Sequence, residues 1–383
     1  MTLIEPTWDE ARIRARSVAN RLESEKCEVS KAAGRITAED CPSLVNLPTY
    51  QTSAMDGYAL SSAEGRWKII GEVRAGEPFN GVLHEGEALS IATGAVIPEG
   101  TFGILRWENA TVVDEYVSGQ TTKAKDFRPA GEEAQLGEIL IAPGETISPG
   151  MVGLLAAAGY DYVSVVKRPR ISLLLLGDEI MHVGIPTNGL VRDSLGVQLP
   201  LWFERLGCEV VSIEYISDDL NATVDALERA THHSDVIVTT GGTADGPRDF
   251  FHAAVARLDG VIHINKVAVR PGHPQVLGEL SAIPLLGLPG NPLSAVVALM
   301  TLGVPLINSL LGKEHVDLPL ISTQEELIAQ PNFTRLIPGK LHNGEFESGK
   351  YLGSAMLRSL ATADGFAVCT SPWTSLRWLE LPL

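Results

Sequence analysis

The chain runs to 383 residues, with 47 acidic against 30 basic side chains and a formal charge of −17. That length exceeds one ordinary hydrophobic core and implies two to four domains. The charge excludes a nucleic-acid or anionic-membrane surface, whose phosphate contacts need a basic face, so any anionic ligand must meet a locally basic site. Cys27, Cys41, Cys208 and Cys369 are scattered without a CxxC pair, and neither a disulfide framework nor a zinc site is expected; with no leader-like stretch ahead of Trp8, a reducing cytoplasm is the expected compartment.

In chain order, residues 8–22 place Trp8, Ala11, Ile13, Ala15, Val18 and Leu22 at helical spacing, with Asp9 and Glu10 in the first turn. A helix dipole favours acids there, and an amphipathic helix is expected. Between residues 69 and 141 the short runs WKII, ALSIATG, GILRWEN and ATVVDEYV alternate with Gly and Pro turns, which predicts a small β-rich domain. Residues 150–160 read as a helix of small residues, and YVSVV (162–166) as a strand before the break at Pro169. Beyond Arg170 the texture is βα: ISLLLLG, a helix over 195–206, EVVSIEYI, a helix over 222–231, DVIVTT, a helix over 250–258, then the strands VIHIN and IPLLGL. An open, mostly parallel sheet follows from that alternation, with ligands expected at the carboxyl edge of its strands. The apolar run 293–311 approaches the length of a membrane span, but Ser294, Thr301, Asn308 and Ser309 interrupt it and Pro305 sits inside it, so it reads as a buried helix. After Gly312, glycine and proline punctuation and a final alternating run predict a small barrel or sandwich.

Chemistry-bearing residues gather at the predicted strand ends. DVIVTT runs into Gly241 and Gly242, which suits backbone amides approaching a phosphate and equally a strand-to-helix turn needing positive φ. GLPGNP brings Pro289, Gly290, Asn291 and Pro292 to the same edge, as a rigid loop presenting amides or simply as a helix start. Asp178, Glu179, Asp218, Asp219 and Asp249 also fall at strand ends, in positions for Mg²⁺ with water and phosphate, or for helix capping. Lys266, Arg270 and His273 supply local positive charge. Asp56 stands in SAMDGYA, where Gly57 permits a tight turn. No Ser/His/Asp or Cys/His arrangement supports covalent catalysis.

TSAMDGYA (52–59), RAGEP (74–78), TGAVIPEG (93–100), GDE (177–179), TTGGTADGPRDF (239–250), RPGHP (270–274) and GLPGNPLSA (287–295) occur in the order seen in the MoeA-type molybdopterin molybdenumtransferases, which include the C-terminal part of gephyrin. The sequence resembles that family over most of its length. The resemblance implies an α/β plus β multidomain fold: an extended N-terminal domain (1–44 and 141–168), an inserted β-rich domain (45–140), a central open, mostly parallel α/β sheet like that of the molybdopterin adenylyltransferases (169–313) and a C-terminal β-barrel (314–383). It implies a homodimer with the active site between subunits, contacts with a molybdopterin adenylyltransferase and apo molybdoenzymes, and no nucleic-acid or membrane partner. The implied reaction takes adenylylated molybdopterin and molybdate, with Mg²⁺, to molybdenum cofactor and AMP.

Motif matching places Asp56, Glu179, Asp249 and Lys266 on catalytic positions and Glu179, Asp218 and Asp249 on metal positions. Thr93, Asp218, Gly241, Gly242, Arg270, Pro289, Gly290, Asn291 and Pro292 fall on substrate-binding ones. Four segments depart from the family pattern: RPAGEEA (128–134) for RxxGxD, RPGHP for KPGKP, GGTADG for GGVSxG, and Arg192, Asp193, Ser194 and Leu195 at the DSN or DTN position. Each trims a basic or polar group near the implied anion site. A non-catalytic pterin-binding or scaffold paralogue and a molybdopterin adenylyltransferase therefore stay open as alternatives; the β domain bearing SAMDGYA argues against the latter.

Overall fold

A computed structural model describes residues 2–243, 250–370 and 376–382. The chain divides into two compact units, Met1–Glu25 with Val166–Leu383, and Lys26–Val165.

The first unit is built on a seven-stranded sheet in the order Leu3–Ile4, Val261–Asn265, Val276–Leu280, Ile283–Leu288, Val236–Thr240, Arg170–Leu176, Glu209–Ile216. Its central strands are continuous apolar or β-branched runs buried along their length, the pattern demanded of parallel strands covered on both faces. Pairing is parallel except where Val276–Leu280 lies antiparallel to both its neighbours. That strand has no counterpart in the sequence reading. It returns to Ile283–Leu288 through Ser281 and Ala282, both at positive φ, so the turn lacks the Gly or Asn that announces such a hairpin. Helices Leu195–Arg205 and Leu220–Thr231 pack on the sheet, and Phe251–Arg257 packs against the second of them.

The apolar run after GNP is one helical rod, Pro292–Leu310, long and apolar enough to cross a membrane, yet with 83% of its apolar window buried in the fold; it is a core helix. Its middle turn, Leu299–Gly303, is π-wound, directly ahead of Pro305, which has no N–H to continue the helical ladder. Against this turn packs the N-terminal helix Trp8–Arg16, whose buried Trp8 donates from Nε1 to Thr301 Oγ1 at 3.0 Å. That helix stops at Ser17, short of the expected residue 22, because the chain leaves it to bond Leu22 N to Leu310 O at 2.8 Å.

The C-terminal β domain closes on itself. Strand Thr334–His342 pairs with Glu345–Ser348 on one side and Gly365–Cys369 on the other, and the latter pairs with Leu376–Glu380. Bridges from Leu320 to Arg377 and from Ser322 to Glu345 complete the ring, giving a small barrel filled by Ile337, Phe346, Ala367 and Trp378.

The second unit holds a six-stranded sheet, ordered Gly103–Arg106, Gly57–Leu60, Glu87–Ile91, Glu64–Val73, Tyr116–Gln120, Thr111–Val113, over a core that includes Ala59, Leu89, Ile91 and Ile104. A separate core of Val29, Ile141, Ile147, Leu155 and Val165 joins the ends of the segment around helix Pro149–Ala157. Ser148 caps that helix by accepting from Met151 N, and Pro149, which has no N–H to satisfy, occupies its first turn.

Candidate active site

In the second unit, SAMDGYA forms the turn between strands Thr52–Ser53 and Gly57–Leu60. Gly57 is required because any Cβ would run into the Leu105 carbonyl of the neighbouring strand. The turn delivers Asp56 to the surface, where Oδ1 accepts from Thr93 N at 2.7 Å and Thr93 Oγ1 at 3.1 Å. Two predicted residues from motifs 37 positions apart are thus one hydrogen-bonded pair, and Oδ2 of Asp56 carries no partner among the described residues. Beside the turn, Arg106 grips Asp126 through two bonds, 2.9 and 2.7 Å. That bidentate contact holds the Asp126 carboxyl below its ordinary range, and Asp126 O in turn accepts from Ala54 N at 2.8 Å.

In the first unit, four adjacent strands end at one level: Thr240 stands opposite Leu288 and Leu175, and Leu176 opposite Ile216. The loops that follow carry the remaining motifs to the carboxyl edge. Gly241, at φ +82, donates to Leu288 O at 2.9 Å and lies against Gly290, so the Gly-Gly and LPGNP turns are side by side. Glu179 is exposed and folds its carboxylate back over Gly177, while Asp218, half-buried, donates its amide to Asp178 Oδ1 at 3.3 Å. Asp219 caps helix Leu220–Thr231 by accepting from Ala222 N at 2.9 Å. Among the described residues no three His, Cys, Asp or Glu side chains converge as a metal cage. Asp249 lies outside the described residues.

The Glu179 loop is anchored from beneath. Asp193, buried, accepts from Tyr215 OH and Gly196 N, both at 2.8 Å. Its amide donates to Met181 O and the Val191 amide to Glu179 O. Burial, and then the bond to Asp193, pushes the Tyr215 phenol up to about 12, and His182 stacks on its ring at 3.7 Å.

Lys266, at φ +65, donates its amide to Gln275 O, and Val267 N to His273 O, closing a tight loop that presents Arg270. A cleft of about 340 Å3 gathers Arg270, Pro289 and Asn291 from two predicted motifs with Arg335 and Ser354 of the C-terminal domain. Arg270 and Arg335 are paired positions of neighbouring parallel strands. The Arg270 guanidinium lies 4.9 Å from the Phe333 ring centre, and Arg335 Nη1 donates to Ile328 O at 2.9 Å. No carboxylate reaches ion-pair distance of either arginine among the described residues. Two neighbouring guanidiniums without a carboxylate form a locally basic surface, the chemistry that an oxyanion would match.

Two expectations change here. His273 does not add free charge to the site, because its Nε2 sits 2.7 Å from Glu5 Oε1. Nor does GLPGNP offer its helix-start amides, since Leu293 N and Ser294 N both donate to Ser354 O, at 3.0 and 3.2 Å. Pro292 serves as the first residue of that helix. Sequence reasoning missed Arg335, Asp193 and Tyr215; only the Asp193 segment stood out there, as a departure from a pattern.

Three family models match in order: the MoeA N-terminal region (domains I and II) over 7–159, a probable molybdopterin-binding domain over 172–309, and the MoeA C-terminal region (domain IV) over 321–371. A molybdopterin molybdenumtransferase of Haemophilus influenzae is 32% identical over 301 residues, 76% of this chain and 74% of that one. The chain belongs to the molybdopterin molybdenumtransferase family. A Staphylococcus aureus member is 27% identical over 326 residues, covering 82% of this chain and 78% of its own. A solved MoeA molybdopterin biosynthesis protein from Pyrococcus horikosii superposes over 99% of both chains with a TM-score of 0.83 and 26% identity. Membership places the chain among transferases of molybdenum cofactor biosynthesis.

Proposed function

We propose that the protein inserts molybdate into adenylylated molybdopterin with release of AMP, acting as a homodimer in the cytoplasm. The observation that carries this reading is the cleft holding Arg270 and Arg335 beside Pro289 and Asn291, at the edge where Glu179 and Asp218 end neighbouring strands. The paired arginines bind molybdate or phosphate oxygens, and their fixed position lowers the cost of charge developing as the phosphoanhydride opens. Glu179 and Asp218 suit Mg²⁺, which takes one or two carboxylates and completes its shell with water and substrate phosphates; when bound, the ion neutralises phosphate charge. Lys266, beside the same loop, adds positive charge, and Asp56 with Thr93 serves substrate from the second unit of the partner protomer. A molybdopterin adenylyltransferase and apo molybdoenzymes are the protein contacts this role requires.

Reconstitution tests the reading: purified protein is mixed with adenylylated molybdopterin, Mg²⁺ and molybdate, and AMP release is followed together with activation of an apo molybdoenzyme. Molybdate-dependent AMP release is expected. Its absence, with pterin still bound, would establish the non-catalytic binding role that the departures at 128–134, 192–195, 241–246 and 270–274 keep open.

A further inference from the structure

A second basic concavity, of about 420 Å3, opens on the C-terminal barrel. Its wall carries Lys340, His342, Lys350 and Arg358 around Tyr351, against one carboxylate, Glu347. It shares no residue with the Arg270 cleft. Many surface cations of this acidic chain are matched, Lys68 by Glu115, Arg74 by Glu72, Lys167 by Glu23 and Arg229 by Glu214. Lys340, Lys350 and Arg358 have no carboxylate at ion-pair distance among the described residues, although Lys340 and Glu347 are cross-strand partners.

The wall is also fixed in place. Gly349 N donates to Pro338 O at 2.9 Å and Tyr351 N to Ser359 Oγ at 2.8 Å. A Cβ on Gly349 would strike Ser359. Arg358 lies with its guanidinium 4.7 Å from the Tyr351 ring centre and donates from Nη1 to the Tyr351 hydroxyl at 2.9 Å. The rest of its donor fork is left for a ligand, and a held fork loses little entropy on binding a planar oxyanion. The volume falls within the range of roughly 300–1,000 Å3 typical of small-molecule sites.

We propose that this cleft is a second binding site, for a small phosphorylated molecule whose phosphate sits between Arg358 and Lys350 with Lys340 adding outer charge. Concentration of the cations in one concavity, rather than along a groove, favours a compact polyanion over an acidic peptide.

The test is calorimetric titration of the full-length Arg270→Ala/Arg335→Ala protein with inorganic pyrophosphate at low salt without metal, so that the first cleft is stripped of both its arginines and the barrel cleft reports. One binding event is expected, weakened at least about tenfold by Lys350→Ala or by Arg358→Ala and less by Arg358→Lys. Lys350 is exposed, so its variant stays folded and keeps the test decisive even if Arg358→Ala does not. AMP release by Lys350→Ala in the otherwise unaltered protein should be unchanged. No binding to the Arg270→Ala/Arg335→Ala parent, binding indifferent to both barrel substitutions, or capture of a hexaglutamate peptide that pyrophosphate fails to displace would each overturn the proposal.

Discussion

Asp56→Asn separates the charge of this residue from its structural bond. An asparagine carbonyl can still accept from Thr93 N and Thr93 Oγ1, now at 2.7 and 3.1 Å, and the side chain is exposed, so the fold should lose no more than about 1 kcal/mol. If the carboxylate handles a proton or a developing positive charge, turnover should fall by about 10²–10⁴-fold, equivalent to roughly 3–5 kcal/mol of barrier. Thr93→Val keeps the backbone donor and removes the hydroxyl, and should cost about tenfold or less. The assay is molybdate-dependent AMP release, run beside a thermal melt and size-exclusion chromatography on each variant. Asp56→Asn turning over within about threefold of the parent would refute a chemical role for the charge. Loss of turnover together with a collapsed melting transition would show that the carboxylate only holds the turn.

Arg270→Ala and Arg335→Ala should each raise KM for molybdate by about tenfold with little change in melting temperature, and the double variant should do no worse than abolish saturation; unaltered KM in both would remove the cleft from the site. Mixing Asp56→Asn with Lys266→Ala protein under subunit exchange should restore AMP release if the two residues serve one site across a dimer, and an inactive mixture that has exchanged subunits would count against a shared site. Tyr215→Phe leaves buried Asp193 short of a donor, so it should destabilise the protein by about 1–3 kcal/mol and lower kcat through the Glu179 loop, with a denaturant melt and kinetics as the check. Burial pushes the Cys208 thiol up to about 12 from an ordinary value of 9.0. The neutral thiol is therefore favoured by the fold: its contribution is complete below pH 9 and is lost as pH rises through 12, and Cys208→Ala should flatten that part of the stability profile.

The central sheet was legible because its strands are uniform apolar runs, ISLLLL and VIVTT, closed by glycines that take positive φ, Gly177 and Gly241. Strand Val276–Leu280 was not, since its turn is made by Ser281 and Ala282 at positive φ and composition gives no warning of a strained hairpin. The end of the N-terminal helix escaped for a different reason. Val18 and Leu22 keep helical spacing, but a tertiary bond from Leu22 N to Leu310 O competes for the chain, and tertiary contacts outrank a short amphipathic pattern. At the site, Asp56 and Thr93 were recognised in separate motifs, whereas Arg335 looked like any arginine in a β domain. Only the register that sets Arg270 opposite Arg335 reveals it.

That register also alters how the proposed anion site would work. GLPGNP suggested an amide cradle in which a helix start and its dipole meet the ligand. The first two free amides of that helix are instead satisfied by Ser354 O from the C-terminal domain, so positive potential in the cleft has to come from side chains. Guanidinium charges half open to solvent are screened more by salt than buried amides are, and a site resting on Arg270 and Arg335 should show molybdate affinity falling steeply with ionic strength. Affinity that holds constant between low and physiological salt would mean that backbone donors elsewhere on the Gly241 and Gly290 turns carry the anion, and that the arginines only border it.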